Sequence, residues 1–300
     1  MTNNKLKGII YLLITALIWG GSFISQLVGG TIMGSFTFSA YRCFLGCITI
    51  AVMIIVYNIK VYGKFSFFRP NENKVHIVRN SFWCGLFLFF AIVIQQIGVE
   101  MTDAAKSGLI TSLEVICVPI LMWALYKKKI RIVTWLFIFT AMFGIMMLSI
   151  NSLSGVNLGD ILVFISTVLY SITILQVPKY AKDIDPLKFS FFRFVIVSIL
   201  SFISAIVFNE EIFNPMVIEK AKLSIFYSGV MSAGVAYTLS IVGQKYCEPI
   251  IATLIMSLEG IFAAILGWII LGQSLKLIQI IGIIIAFVSI IFVQLSDQTI

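Results

Sequence analysis

The sequence contains few charged residues. Only 11% of its 300 residues are charged, against about 25% in soluble proteins, whereas 60% are hydrophobic, against about 45–50%. The mean hydropathy is +1.07. So few charges do not cover this much apolar surface in water, because contiguous apolar surface promotes association. The composition therefore excludes a soluble enzyme, a nucleic-acid-binding module and a disordered protein, and it predicts a protein of the lipid bilayer.

Groups that carry catalytic chemistry are also scarce. His76 is the only histidine and falls in a predicted loop, and the five cysteines are an odd number scattered through apolar segments. Neither a metal site nor a disulfide framework is indicated. The aspartates fall in loops or at helix ends, and neither HExxH nor a G-x-x-x-x-G-K-[ST] loop occurs. The chain lacks the set of catalytic residues that an intramembrane enzyme needs, and it lacks the loop through which ATP would drive transport directly. We therefore predict no enzyme, no cofactor and no metal.

Long apolar runs are abundant. Ten of them approach the ~20 residues that cross ~30 Å of hydrocarbon. They cover residues 8–29, 35–57, 81–99, 104–126, 131–150, 158–180, 186–208, 223–243, 249–271 and 276–295. The first run is longer than the apolar core of a signal peptide, so it is interpreted as a span.

Basic residues are distributed unevenly between the connections. When alternate connections are assigned to opposite sides, fifteen Lys and Arg fall on one side and four on the other, with Arg42 and Arg193 inside spans. The positive-inside rule places the first side, and both termini, in the cytoplasm. The net charge of +8 is therefore a topology signal. Basic and aromatic residues alternate in the loop 58–80, which predicts an interfacial segment on anionic lipid.

The two halves of the chain repeat each other. Residues 109–124 and 254–269 share nine of sixteen identities, including a paired Ser-Leu-Glu and a paired Trp. FSAYR at 38–42 matches FSFFR at 189–193. Residues 1–150 and 151–300 are thus two five-helix repeats. Because five is odd, the second repeat enters the membrane from the opposite side, which is the inverted arrangement of many secondary transporters, with the site near the midplane.

Several segments resemble the drug/metabolite transporter superfamily, EamA type. They are the first-helix motif ALIWGGSF (16–23), the Arg of Tyr41-Arg42-Cys43-Phe44, AKSGLIT (105–111), and the stretch from Ser257-Leu258-Glu259 to Leu271-Gly272. The chain departs from the family at Gln273, where Glu is frequent, at the related Lys128, and at Glu114. The resemblance implies a polytopic plasma-membrane carrier, commonly an exporter of amino acids or other small metabolites. It also implies a central cavity between spans 1, 3 and 4 and spans 6, 8 and 9.

Four ionisable residues lie deep in predicted spans. Glu114 and Glu259 are each ten residues into a span, about 15 Å deep, where a charge is costly and usually functional. They are candidates for proton coupling or for pairing with a cationic substrate; the alternative is a neutral carboxyl that holds helices together. Arg42 and Arg193, about 10 Å deep, either bind a substrate carboxylate or phosphate, extend to the headgroups, or pair with a glutamate.

Aromatic and amide side chains complete the candidate set. Three aromatic residues have two possible roles. Their rings either line a cavity and stack on an aromatic or quaternary ammonium ligand, or pack between helices; they are Trp19, Tyr170 and Tyr237. Gln95 either lines a wet path or hydrogen-bonds a neighbouring helix. Lys106 lies only two residues inside span 4 and is interpreted as an interfacial anchor.

These patterns predict a ten-helix carrier that moves a small molecule by alternating access, with Glu259 as the proton-coupling or charge-pairing group. Export of amino acids or related metabolites is the first hypothesis. Uptake of an organic cation such as a quaternary amine is the second, because two midplane carboxylates accompany aromatic residues. A receptor or assembly factor on a transporter fold is a third, which a flux measurement separates from the others.

Overall fold

The computed structural model describes residues 3–63, 65–68, 72–102, 104–128, 130–148, 157–271 and 276–296, and all regular secondary structure in these ranges is helical. A π-helical segment, Tyr227–Ala236, joins α9 to α10. The α-helices are α1 (Asn3–Met33), α2 (Ser35–Tyr62), α3 (Lys74–Glu100), α4 (Ala104–Ser112), α5 (Glu114–Tyr126), α6 (Ile132–Leu148), α7 (Leu158–Tyr180), α8 (Pro186–Val207), α9 (Pro215–Phe226), α10 (Tyr237–Gln244), α11 (Pro249–Met256), α12 (Glu259–Leu271) and α13 (Leu277–Ser296). Gln273 lies outside the described residues, and Lys128 is exposed.

Many of these helices are long and apolar enough to cross a membrane. Among the described residues they are Asn4–Met33, Ser35–Tyr62, Lys74–Glu100, Lys106–Tyr126, Leu158–Tyr180, Pro186–Val207 and Pro215–Gln244, seven in all, with the shorter apolar helices Ile132–Gly144 and Pro249–Ala263. Their outward faces expose large hydrophobic side chains such as Val52, Phe90 and Ile199, as contact with lipid requires. The protein is therefore an all-α polytopic membrane protein, as the composition predicts.

Local sequence signals set where helices begin. The Asn157 side chain accepts a hydrogen bond from the Asp160 N–H (2.9 Å), and the Asp160 carboxylate accepts one from the Asn157 N–H (2.8 Å). This reciprocal capping box satisfies N–H groups that the first turn of α7 leaves without partners. Asp185 caps α8 in a related way, and Pro186 follows at the first helical position, where no N–H is needed.

Two helices that the sequence predicts as continuous are each broken in two. Leu113 separates α4 from α5, and Ser257 with Leu258 separates α11 from α12. At each break the backbone tightens, because the N–H groups of Leu113 (3.1 Å) and Leu258 (3.2 Å) bond to the carbonyl three residues back instead of four. Glu114 and Glu259 are the first residues after the breaks. Each glutamate therefore begins a half-helix inside the bundle.

Proline does not cause these breaks. Pro119 lies inside α5 and Pro178 inside α7, and both helices continue through them. Neighbouring helices re-satisfy backbone groups freed by proline in membrane bundles, so a proline alone does not end a helix there.

Helices from the two halves of the chain pack against each other in pairs. α2 lies along α8, α3 along α7, and α6 along α13. Small residues permit the closest crossing: a Cβ added to Gly144 or to Gly282 would lie 2.5 Å from the carbonyl oxygen of the other glycine. Close backbone approach of this kind maximises dispersion contacts where no hydrophobic driving force acts between helices.

Two glutamates join opposite ends of the α2–α8 pair. Glu210, just after α8, accepts hydrogen bonds from the N–H groups of Phe36 (3.2 Å) and Thr37 (2.6 Å) in the first turn of α2. Glu72, in the segment after α2, forms an ion pair with buried Lys188 in the first turn of α8. A carboxylate is favourable at a helix N-terminus. Because the end of each helix meets the start of the other, α2 and α8 run antiparallel.

The segment between α2 and α3 packs partly inward. Phe67 lies 4.8 Å from Phe191 and Phe68 lies 6.1 Å from Phe192, measured between ring centroids, so both rings contact α8. Phe65 is 81% exposed. The adjacent aromatic face of α8 therefore partly covers Phe67 and Phe68, and the interfacial lipid segment stays a prediction for this loop.

We expect Glu210→Ala to lower stability by about 0.5–2 kcal/mol, the usual cost of losing a helix N-terminal cap. The first turn of α2 would lose its two acceptors. Glu211→Ala is the matched control. Glu211 is exposed, and within the described residues its carboxylate accepts a hydrogen bond from Asn214, three residues away. Thermal unfolding in detergent checks this; equal melting temperatures for the two variants would contradict the capping role.

Candidate functional site

A cavity of about 640 Å³, counting the part open to solvent, lies where the helices of the two halves meet. Ionisable, aromatic and amide side chains form much of its wall, although most of the surrounding helix surface is apolar. The wall contains all eight residues singled out from the sequence: Trp19, Arg42, Gln95, Glu114, Tyr170, Arg193, Tyr237 and Glu259. Two of them come from α2 and α8, which the family resemblance did not place at the cavity.

The two glutamates enter the cavity from the two helix breaks. Glu114 is 8% exposed and Glu259 is 6% exposed, and within the described residues neither forms an ion pair. The breaks touch, because the Ser112 hydroxyl donates to the Ser257 carbonyl at 3.2 Å. Half-helices that meet inside a membrane present unsatisfied backbone groups and are typical of ion and substrate sites in transporters. The arrangement holds two carboxylates at one place in a low-dielectric interior.

The two arginines are buried in the cavity wall. Arg42 is 5% and Arg193 3% exposed, so the interpretation that they extend to the headgroups is wrong. Their Cζ atoms lie over the rings of Phe38 (5.8 Å to the centroid) and Phe189 (5.2 Å), each one turn earlier on the same helix. Neither arginine forms an ion pair with a carboxylate within the described residues, so the pairing with glutamate also is not observed. Packing between α2 and α8 holds both side chains inside.

Aromatic residues of α1 and α10 form one side of the cavity, and Phe194 of α8 packs against Tyr237. The Trp19 and Tyr237 rings lie 4.7 Å apart at 60°, and Phe194 meets Tyr237 edge-on at 5.1 Å. The Trp19 indole nitrogen has no hydrogen-bond acceptor in the described part of the chain. Gly20 lets α1 reach α12, because a Cβ there would lie 2.8 Å from the Glu259 carbonyl oxygen. Trp19 is therefore held next to the start of α12.

Gln95 takes part in a hydrogen-bonded chain across three helices. The Tyr170 hydroxyl donates to Gln95 Oε1 (3.1 Å), Gln95 Nε2 donates to the Thr111 hydroxyl (3.2 Å), and Thr111 donates to the Ser107 carbonyl (2.8 Å). This chain joins α7 and α3 to α4, the half-helix that precedes Glu114. Gln95 therefore lines the cavity and also forms hydrogen bonds with neighbouring helices.

Sequence reasoning missed several polar residues of the wall. Gln26 Nε2 donates to the Ser22 hydroxyl (3.1 Å), which in turn donates to Ser232 (3.3 Å) in the π-helical segment. Gln244 also lines the cavity, and its Oε1 has no donor within the described residues. The spacing of Ser22 and Gln26, one helical turn apart in an apolar helix, is a signal that was available.

Lys106 is buried and pairs with an acidic side chain. Its Nζ is 2.6 Å from Asp160 Oδ2, and the side chains are 11% and 6% exposed. The Thr102 hydroxyl donates to the other carboxylate oxygen of Asp160 at 2.7 Å. Lys106 therefore joins the start of α4 to the start of α7, because Asp160 occupies the first turn of α7, and its interpretation as an interfacial anchor stays a prediction.

The cavity suits reversible binding. It combines two carboxylates, two guanidinium groups, aromatic rings and amides. In the ranges that the structure describes, no group of three or more His, Cys, Asp or Glu is arranged to hold a metal ion. The acidic groups can exchange protons or pair with a cation, the arginines can bind an oxyanion, and the rings can pack on an apolar moiety.

Comparisons with known proteins agree with this arrangement. An uncharacterized transporter of Archaeoglobus fulgidus is 27% identical over 293 residues, which cover 97% of this chain and 87% of that one. A protein of known crystal structure has the same fold, with a TM-score of 0.75 at 14% identity over 96% of both chains. The model of the EamA-like transporter family matches twice, over residues 6–150 and 157–295. The chain therefore belongs to the EamA-like transporter family.

Proposed function

We propose that the protein has ten membrane spans, arranged as two inverted repeats at 1–150 and 151–300. The two family matches divide the chain close to this boundary. The antiparallel course of α2 and α8 supports the inversion, since they carry the matched FSAYR and FSFFR motifs. The breaks at Leu113 and Leu258 lie 145 residues apart, which is the offset of the repeat. The cavity then lies at the interface of the repeats, where inverted-repeat transporters bind substrate.

The function that this geometry supports best is secondary transport of amino acids or related small metabolites by alternating access, in the direction of export. The carrying observation is the central cavity, in which two glutamates and two arginines face one space without forming ion pairs within the described residues. Buried charges at midplane depth usually face a substrate path. We place the protein in the plasma membrane with both termini in the cytoplasm, on the distribution of its basic residues.

Glu259 is the proposed coupling group. It begins α12 in the cavity, next to the aromatic pair of Trp19 and Tyr237. A carboxyl group in an apolar interior takes up and releases a proton at modest cost when its surroundings alternate between open and closed. Proton exchange at Glu259 would then link substrate movement to the proton gradient.

Uptake of an organic cation such as a quaternary amine is the second candidate. The edge-on pair of Trp19 and Tyr237 lines the same cavity as Glu114 and Glu259 and favours it, because aromatic faces and carboxylates together bind ammonium groups. This candidate leaves the two arginines without a role in binding.

Counterflow into proteoliposomes tests the proposal. Liposomes loaded with unlabelled L-amino acids should accumulate the labelled amino acids from outside, and protein-free liposomes should not. Liposomes loaded with choline provide the parallel arm; counterflow of choline alone would favour the cation carrier. If the protein remains monodisperse and folded yet exchanges neither, transport of these substrates is contradicted, and a receptor role is favoured.

A further inference from the structure

Two buried cations, Arg42 and Arg193, face the cavity, and Glu100 lies within electrostatic range of Arg42 without forming an ion pair with it in the described part of the chain. Arg42 and Arg193 are both more than nine-tenths buried. Within the described residues neither forms an ion pair, and Arg193 Nε lacks a hydrogen-bond acceptor. An unpaired charge in a membrane interior is strongly unfavourable, so such groups normally have a partner. The cavity that they share is the place where a partner can bind.

An aromatic ring lies beside each guanidinium, and Arg42 also forms a hydrogen bond with the neighbouring Cys43 side chain. Arg42 lies over the ring of Phe38 and Arg193 over that of Phe189. A ring holds a guanidinium through its π face and uses none of its five N–H donors. These donors match the planar oxygens of a carboxylate or a phosphate, which they bind in a bidentate manner.

The opposite charges lie elsewhere on the same wall. Glu114 and Glu259 enter from the helix breaks and, in the described part of the chain, do not pair with the arginines. Tyr170 lines the cavity and is within electrostatic range of both Arg42 and Glu114, so groups of opposite charge lie near one tyrosine. The cavity therefore presents a cationic region and an anionic region to one bound molecule.

We propose that Arg42 and Arg193 form an oxyanion subsite that binds the carboxylate of the substrate, while the glutamates receive its ammonium group. This inference rests on the proposed function, because the subsite belongs to the same transport cavity. The substrate class is then a small zwitterion with a carboxylate and an amine. A phosphate group offers the same chemistry to the arginines and is tested separately below. A quaternary amine without an anionic group would leave both arginines unpaired.

Ligand-induced thermal stabilisation of the full chain in detergent tests the subsite. The probes are the individual L-amino acids, the amines that remain when the α-carboxylate is removed, and inorganic phosphate. A ligand that binds only the folded state raises its stability in proportion to its affinity. We expect at least one amino acid to bind about tenfold or more tighter than its amine, since a charge-assisted hydrogen bond is lost. Phosphate stabilisation without amino-acid stabilisation would support the subsite with a phosphorylated substrate.

Arg42→Gln and Arg193→Gln should weaken binding of the acid to the level of its amine and leave binding of the amine unchanged. Arg79→Gln is the control, because Arg79 is exposed on α3 outside the cavity. Equal binding of acid and amine to the unaltered protein, unchanged acid binding in both arginine variants, or no stabilisation by any amino acid or phosphate would each overturn the inference. If a variant does not fold, the comparison of acid and amine binding to the unaltered protein still tests the subsite.

This test fails separately from the transport proposal. Selective binding of the acid with no counterflow would contradict transport and leave the subsite intact. Counterflow with equal affinity for acid and amine would contradict the subsite and leave transport intact.

Discussion

Replacing Glu259 by glutamine is expected to abolish the pH dependence of flux while the protein stays folded. Glutamine has nearly the same shape as a protonated glutamate but cannot release a proton. A coupled proton contributes about 1.4 kcal/mol per pH unit, or up to about tenfold in substrate accumulation, and the variant should lose this gain. The initial rate and the steady-state level of amino-acid uptake into proteoliposomes, with and without an imposed pH gradient, provide the measurement.

Other ionisable groups face the same space and need controls. Glu114, Arg42, Arg193, Tyr170 and Tyr237 share the cavity with Glu259.

The helices that pack on α12 are α1, α4 and α6. They carry Lys5 and Lys7 near the start of α1 and Lys106 in α4. Glu114→Gln is the matched variant, as it removes the other carboxylate of the pair. If pH dependence persists in Glu259→Gln but disappears in Glu114→Gln, the coupling role belongs to the other half-helix; persistence in both contradicts carboxylate coupling at this site.

Lys106→Met should destabilise the protein by about 3–5 kcal/mol, the cost of leaving one partner of a buried ion pair alone. Asp160 would keep its bonds from Thr102 and from the Asn157 N–H but lose the charge that balances it. Thermal or denaturant-induced unfolding in detergent micelles measures the effect.

The double variant Lys106→Met with Asp160→Asn should recover part of the loss, because it removes both charges together. Lys222→Met is the control, since Lys222 pairs with Glu219 at an exposed site, where an ion pair contributes at most about 1 kcal/mol. If Lys106→Met is no more destabilising than Lys222→Met, the buried pair does not hold α4 to α7.

The helical, membrane-spanning character of the chain was predictable, but the breaks within helices were not. Apolar run length and composition are local properties, so they indicate helices before any packing is known. Leu113 and Leu258 carry no breaking signal of their own, whereas Pro119, a residue that does, lies within a continuous helix. Contacts between the half-helices, such as that of Ser112 with Ser257, accompany the breaks and depend on the folded arrangement.

The candidate residues came from one rule: polar groups deep in an apolar run are costly there and are therefore usually functional. This rule selected side chains that the structure places in one cavity wall. The rule did not indicate which charged groups form ion pairs. Lys106, interpreted as an anchor, pairs with Asp160. Pairing with a glutamate was one option for Arg42 and Arg193, but neither pairs with a carboxylate in the described ranges. Their role in binding remains a proposal.

The sequence alone determined that this chain lives in a bilayer, that it is helical, that its halves repeat, and which polar groups lie far from the ends of each span. These follow from hydropathy, periodicity and self-similarity, which are read along the chain. The tertiary structure decided that α4 and α11 stop before Glu114 and Glu259. It also decided that Lys106 pairs with Asp160, while within the described residues the cavity arginines form no ion pair. The physical reason is that helix–helix packing sets the distance between charges far apart in sequence, and that distance decides whether a buried charge pairs within the protein or is left to bind a substrate.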